Sequence, residues 1–181
     1  PTKTGYEFLG WTSDRNPNLV LDVALSGITG DITFNAIFAK DVYTIEYILN
    51  GAEEVTENPK TYSVTDDDIK IKNPSMKGYT FLGWTGTGVD GSTLDLVIKK
   101  GSTGHKTFTA NWQLDEYTIK YELNGGINNK DNADSYNVTQ SVTIYEPTKE
   151  GFTFDGWTGS GLTEKTKTFT IPVGSIGNRE Y

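Results

Sequence analysis

The sequence predicts a mainly β or α+β protein made of tandem small domains of about 73 residues. Three observations carry that prediction. One long segment recurs along the chain. Apolar and polar residues alternate with the period of a half-buried strand. No window sustains the 3.6-residue apolar stripe of an amphipathic helix, so at most one short helix per unit is expected, most naturally in the loops after each Gly-Trp, such as residues 18–24.

The recurrence is specific. Gly5-Tyr6-Glu7-Phe8-Leu9-Gly10-Trp11 returns as Gly78-Tyr79-Thr80-Phe81-Leu82-Gly83-Trp84, and again as Gly151-Phe152-Thr153-Phe154-Asp155-Gly156-Trp157. Pro1, Pro74 and Pro147 each stand four residues before the first glycine of a copy. The segment beginning Tyr43-Thr44-Ile45-Glu46-Tyr47 returns at Tyr117, and Phe34-Asn35-Ala36-Ile37-Phe38 matches Phe108-Thr109-Ala110-Asn111-Trp112. A one-residue deletion between Val138 and Val142 accounts for the small drift in spacing. On this register residues 42–115 are one complete unit, 1–41 the C-terminal half of another, and 116–181 a unit lacking its last strand residues, with Tyr181 aligned to Phe108.

Each element follows from local pattern. Tyr117, Ile119, Tyr121 and Leu123 alternate with Thr118, Lys120, Glu122 and Asn124, which reads as an opening strand. Asn124-Gly125-Gly126 supplies a turn able to take positive φ. Tyr136 with Val138, then Val142 with Ile144, read as a second strand or hairpin arm. Tyr79, Phe81 and Trp84 read as a third strand, expected to break at Gly83 in a bulge or bend. Phe108, Ala110 and Trp112 alternate as the closing strand. Residues 39–42 and 113–116 run from a closing strand into the next opening strand with no Pro/Ser/Gly-rich spacer, so neighbouring units are expected close together.

Composition excludes several function classes. The chain carries 16 basic against 24 acidic residues, a formal net charge of −8, without the basic footprint that phosphate backbones require. With no cysteine, disulfides, thiolate metal sites and thiol catalysis are absent, and one histidine leaves no multi-histidine metal site. Apolar stretches fall far short of the roughly 20 residues that span a bilayer as a helix. No apolar signal region opens the sequence, so any export signal is expected outside it. Aromatics at 12% in a chain only 35% hydrophobic argue for folded cores carried by rings.

Those rings are the first candidates for ligand contact, but their placement favours packing. All align with an aromatic in another unit except Tyr145 and Phe169. The predicted repeat core is Tyr6, Phe8, Trp11, Tyr43, Tyr47, Tyr79, Phe81, Trp84, Phe108, Trp112, Tyr117, Tyr121, Phe152, Phe154 and Trp157. His105 aligns with Asn178 and Asp31, a turn-compatible set that suits a loop role and not a general base. Asp66-Asp67-Asp68 and Asp131-Asn132-Ala133-Asp134 lack the spacing of a calcium loop and read as solvated surface; an ion near Asp41 or Asp115 is the form of the metal idea to test. Gly86-Thr87-Gly88 and Gly159-Ser160-Gly161 lack the Gly-Lys-Ser/Thr ending of a phosphate loop and read as flexible turns. Asn137-Val138-Thr139 is a formal glycosylation sequon inside a predicted strand.

The Pro-x-x-x-Gly-aromatic-x-Phe-x-Gly-Trp copies, the opening Tyr-Thr-Ile-Lys-Tyr-Glu-Leu-Asn-Gly-Gly and the closing Phe-Thr-Ala-Asn-Trp resemble the Listeria–Bacteroides repeat, the B repeat of internalin-type surface proteins. The resemblance covers essentially the whole chain; Phe38, where the closing Trp is usual, is a departure. It implies a β-grasp-like (ubiquitin- or SUMO-like) fold, a place on exported bacterial cell-surface proteins, and no catalytic residues or cofactors. The function expected is a non-catalytic spacer or stalk and protein-interaction module; the alternative is an adhesin that recognises a host protein or carbohydrate. Expected partners are host or bacterial surface proteins, with neither nucleic acid nor a membrane span. Two structural alternatives stay open: a unit permuted to begin at each proline, and incomplete end units that complete one another between chains.

Overall fold

A computed structural model describes residues 1–181. The chain is built of strands and contains no helix. They are β1 (Tyr6–Ser13), β2 (Phe34–Lys40), β3 (Tyr43–Ile48), β4 (Thr61–Tyr62), β5 (Ile69–Lys70), β6 (Tyr79–Gly86), β7 (Val97–Ile98), β8 (Lys106–Leu114), β9 (Tyr117–Lys120), β10 (Ser135–Tyr136), β11 (Val142–Ile144), β12 (Phe169–Ile171) and β13 (Arg179–Glu180). The loop at 18–24 forms no helix because Trp11 and Val20 exchange both backbone hydrogen bonds, at 2.7 and 3.0 Å, which holds it extended.

Two compact units partition the chain. Unit 1 comprises Pro1–Asn50, Glu54–Pro74 and Gly83–Asn111; unit 2 comprises Gly51–Glu53, Ser75–Leu82 and Trp112–Tyr181. Strands β6 and β8 therefore contribute residues to both.

In unit 1, β1 and β2 form an antiparallel ribbon with a register shift between Phe8 and Gly10. The bulge anticipated at the Gly-Trp motif thus occurs in β1. β6, like β1, is one strand through its Gly-Trp motif, and Gly83 takes a φ of +116° that is accessible to glycine and strained for any other residue. Antiparallel to β4 and parallel to β8, β3 lies inside the order β4-β3-β8-β6. In unit 2, β9 lies between antiparallel β10 and parallel β13. β5–β7 and β11–β12 are short antiparallel pairs. Residues 152–156, which align with the start of β6, form no strand; β13 spans only Arg179–Glu180 and pairs with β9, leaving no ladder beside them.

Each unit has its own core, drawn from corresponding positions. Ile45, Tyr62, Ile71, Trp84, Ile98 and Phe108 are buried in unit 1. Ile119, Tyr136, Ile144, Trp157, Ile171 and Tyr181 are buried in unit 2. Trp84, fully shielded, removes roughly 150–250 Å² from water, a gross gain on the order of 4–6 kcal/mol at about 25 cal/mol per Å². Buried ring heteroatoms are satisfied, as burial demands. Trp84 Nε1–H donates to Asn73 Oδ1 at 2.9 Å, and Trp157 Nε1–H to the Tyr145 carbonyl at 3.2 Å. Tyr62 Oη–H donates to the Gly104 carbonyl at 2.5 Å, and Tyr136 Oη–H to that of Gly177 at 2.6 Å.

Candidate functional site

The Pro-x-x-x-Gly segments lead into the aromatic motifs, as ribbon tips before β1 and β6 and as the same turn before the strandless residues 152–156, and each closes on itself. Tyr6 N–H donates to the Lys3 carbonyl at 3.0 Å, Tyr79 N–H to that of Met76 at 3.1 Å, and Phe152 N–H to that of Lys149 at 3.1 Å. Glycine is required at the last position of each tip: φ is +73° at Gly5, +76° at Gly78 and +75° at Gly151. In unit 1 the Asp41 amide donates to the Gly5 carbonyl at 3.0 Å; in unit 2 the Asp115 amide does the same to Gly78 at 3.0 Å. The connections are thereby tied to the tips. Only Asp41 and Val42 separate β2 from β3, and only Asp115 and Glu116 separate β8 from β9.

The aromatic positions divide by burial. Trp84, Phe108 and Trp157 are buried; Tyr6, Phe8, Trp11, Tyr43, Tyr47, Tyr79, Phe81, Trp112, Tyr117, Tyr121 and Phe154 are half-buried; Phe152 is 70% exposed. Most of the half-buried rings meet another ring near 5–6 Å, as with Phe8 and Trp11 at 5.5 Å, Phe81 and Trp112 at 5.1 Å, and Phe154 and Trp157 at 5.2 Å. Burial raises the phenols of Tyr47 and Tyr121 to about 12. Their hydroxyls donate to the carbonyls of Pro59 at 2.9 Å and Ala133 at 2.7 Å.

Candidate polar residues find structural partners. His105 Nδ1 accepts the Thr44 amide at 3.0 Å, which places the ring proton on Nε2. Asn178 Oδ1 accepts the corresponding Thr118 amide at 3.0 Å. Within the aspartate run, Asp66 accepts the Ser63 amide at 2.8 Å, Asp67 meets Lys100, and Asp68 accepts the Lys100 amide at 2.9 Å. The Lys99 ammonium, then that amide, holds the Asp68 carboxyl below its ordinary value. Asp41 accepts the Tyr43 hydroxyl at 3.1 Å and Asp115 that of Thr80 at 2.6 Å. No group of three or more His, Cys, Asp or Glu gathers as a metal site would require. Asn137 is buried, and its Oδ1 accepts the amide and hydroxyl of Thr139, so the sequon side chain is engaged within the fold.

Two features escaped the sequence reading. The Gly-Thr-Gly and Gly-Ser-Gly loops are fastened rather than flexible. Thr87 N–H donates to the Thr107 carbonyl at 3.0 Å while Thr107 N–H donates to Thr87 Oγ1 at 3.1 Å. Ser160 and Glu180 repeat the exchange at 3.0 Å in both directions. Buried Asn58 and Asn132 act as backbone clamps: Asn58 bonds the amide and carbonyl of Lys72 at 2.8 and 2.9 Å, and Asn132 those of Tyr145 at 2.7 and 3.1 Å. Their signal was an asparagine repeated beside the aligned Glu57 and Asp131.

Unit 2 also carries an open groove of about 300 Å³, bordered by Leu123, Asn124, Phe152, Phe154, Trp157 and Tyr181. It offers apolar rings and a few polar edges.

These traits define a class: cysteine-free, strand-built repeats with one aromatic core per compact unit. The profile of the Listeria-Bacteroides repeat domain matches residues 1–37, 43–111 and 117–179, and the chain belongs to that family. It is 31% identical over 159 residues to a protein of Evansella cellulosilytica named "Putative membrane protein", covering 87% of this chain and 23% of the relative. A "Putative Gly-rich membrane protein" of the same organism is 27% identical over 164 residues, covering 87% of this chain and 18% of the relative. Internalin H of Listeria monocytogenes is 30% identical over 114 residues, covering 57% of this chain and 19% of that protein. The chain thus spans less than a quarter of the length of each relative. No solved structure matches it. No helix is long and apolar enough to cross a membrane.

Proposed function

We propose that this chain is a non-catalytic, semi-rigid spacer and protein-interaction region of an exported bacterial cell-surface protein. The observation that carries the reading is the connection between repeats. Two residues join β2 to β3 and β8 to β9, and the amides of Asp41 and Asp115 are bonded to the ribbon tips. A linker so short and so fastened lacks the freedom of a Gly/Ser coil. Family membership and the likeness to membrane-protein and internalin sequences support the surface location. The net charge of −8 favours solubility of a long array. We read residues 42–115 as the full sequence unit, with 1–41 and 116–181 as partial ones. Parallel β3 and β8 at the middle of the β4-β3-β8-β6 order support a β-grasp-like kinship without the grasped helix. The partner class is a host or bacterial surface protein.

The adhesin alternative has one observation in its favour, the groove beside exposed Phe152. Small-angle scattering of the whole chain, paired with screening against carbohydrate and surface-protein arrays, separates the two. An extended monomer with no selective ligand is the expected result. A compact particle refutes the spacer, and a ligand lost on Phe152→Ser assigns the groove to adhesion.

A further inference from the structure

We propose that each ribbon tip is a docking surface whose partner is another repeat of this kind. The glycine of Pro-x-x-x-Gly and the valine of the following Tyr-x-Val-Thr form its specificity pair. The chain presents this surface three times, twice seated and once open. A Cβ on Gly5 would stand 2.1 Å from Val64 Cγ1, and one on Gly78 would stand 2.5 Å from Val138 Cβ. Both glycines are buried, and each pair lies within one compact unit. Gly151 has the same backbone, φ +75°, yet it is exposed and a Cβ there would meet nothing within 4 Å. The ring that follows the glycine tells the same story. Tyr6 and Tyr79 are half-buried at seated tips, and Phe152 is 70% exposed at the open one.

The valine is held ready by its own repeat. The Val64 carbonyl accepts the Gly101 amide at 3.2 Å, and the Val138 carbonyl accepts that of Gly174 at 2.7 Å. On the other side, the Asp41 and Asp115 amides fix the glycine carbonyls. Hydrogen bonds to the glycine and valine backbones thus aim both partners, while the missing Cβ supplies the room. A side chain at the glycine, or a larger one at the valine, fills the same space. The contact therefore selects which tip can follow which repeat. The inference concerns how repeats recognise one another and holds for an array of any purpose.

The test compares Gly78→Ala with Gly151→Ala in the whole chain. Both variants bear the same positive-φ cost, so their difference reads the contact with Val138. Gly78→Ala is expected to melt on the order of 5 °C lower than Gly151→Ala. It is also expected to speed hydrogen exchange of the Asp115 amide about tenfold, while Gly151→Ala leaves that amide unchanged. Adding Val138→Gly to Gly78→Ala, which removes the Cβ that a Cβ on Gly78 would meet at 2.5 Å, restores most of the difference when compared with Val138→Gly alone. Should Gly78→Ala fail to fold, Val138→Ala alone still loosens the Asp115 amide. Equal losses for the two glycine variants, or an Asp115 amide indifferent to Val138→Ala, overturn the proposal. A longer chain, with a copy of residues 109–181 appended after Tyr181, probes the open tip. There Gly151→Ala becomes as costly as Gly78→Ala; an unchanged cost refutes the docking surface.

Discussion

Replacing Gly159 by alanine should be far more damaging than the same change at Gly174, although both glycines sit at positive φ in loops. At Gly174, φ is +84° and a Cβ would meet nothing within 4 Å. The cost there is that of a left-handed L-residue, about 1 kcal/mol. At Gly159, φ is +129° and a Cβ would stand 2.1 Å from the Glu180 carbonyl oxygen and 3.1 Å from Tyr181 Cα. Those are backbone atoms, so no rotamer change relieves the overlap. Backbone strain of about 1–3 kcal/mol joins an overpacking cost of about 1–3 kcal/mol. Displacement would also part Ser160 from Glu180, two hydrogen bonds at 3.0 Å each. Together these give roughly 3–5 kcal/mol for Gly159→Ala against about 1 kcal/mol for Gly174→Ala. Urea unfolding followed by amide-resolved NMR reads this per core. The transition of the Trp157 core should move and that of the Trp84 core should stay. If the two variants fall within about 0.5 kcal/mol of each other, the close-approach reasoning is wrong.

His105→Asn should preserve stability because Asn178 already makes the equivalent bond to Thr118; His105→Ala should lose about 0.5–1.5 kcal/mol, both read by thermal melting. Asn132→Ala strands the Tyr145 amide, leaves the Tyr145 carbonyl to Trp157 Nε1–H alone, and should cost about 1–3 kcal/mol, measured by chemical denaturation. Burial raises the Tyr47 and Tyr121 phenols from 10.0 to about 12, so the folded state holds its protons longer than the unfolded chain. The stability this contributes is intact below pH 10 and is lost as pH climbs toward 12; absorbance titration of the tyrosinates should show two late groups, and their Phe variants should remove them.

Strand character was legible because it is written with period two. The alternation from Tyr117 became β9 as far as Lys120, with Tyr121 and Leu123 beyond its end, and Phe108, Ala110 and Trp112 lie in β8. The turn at Asn124-Gly125 takes φ of 49° and 81°, the conformation its residue types favour. What was hidden depends on distant partners. Nothing local in Gly159-Ser160-Gly161 announces that Glu180 will lie against it, so a fastened loop looked like a flexible one. The asparagine clamps were readable only as a coincidence of two aligned asparagines, since their bonds reach 13–14 residues along the chain. The helix allowed after each Gly-Trp gave way to a two-stranded bridge because Trp11 recruits Val20. His105 shows the opposite case: it aligns with Asn178, and the two accept the amides of the aligned Thr44 and Thr118 in the neighbouring strand motif.

The two cores have a consequence for how such arrays change length. Each core draws its buried residues from a single repeat, whereas the glycine–valine contact reaches from one repeat into the next. Copying one repeat's worth of gene, from any starting point, therefore adds one whole core and one whole junction. Deleting the same length removes one of each. A change of length by that step would leave no core half-built and no junction without its partner.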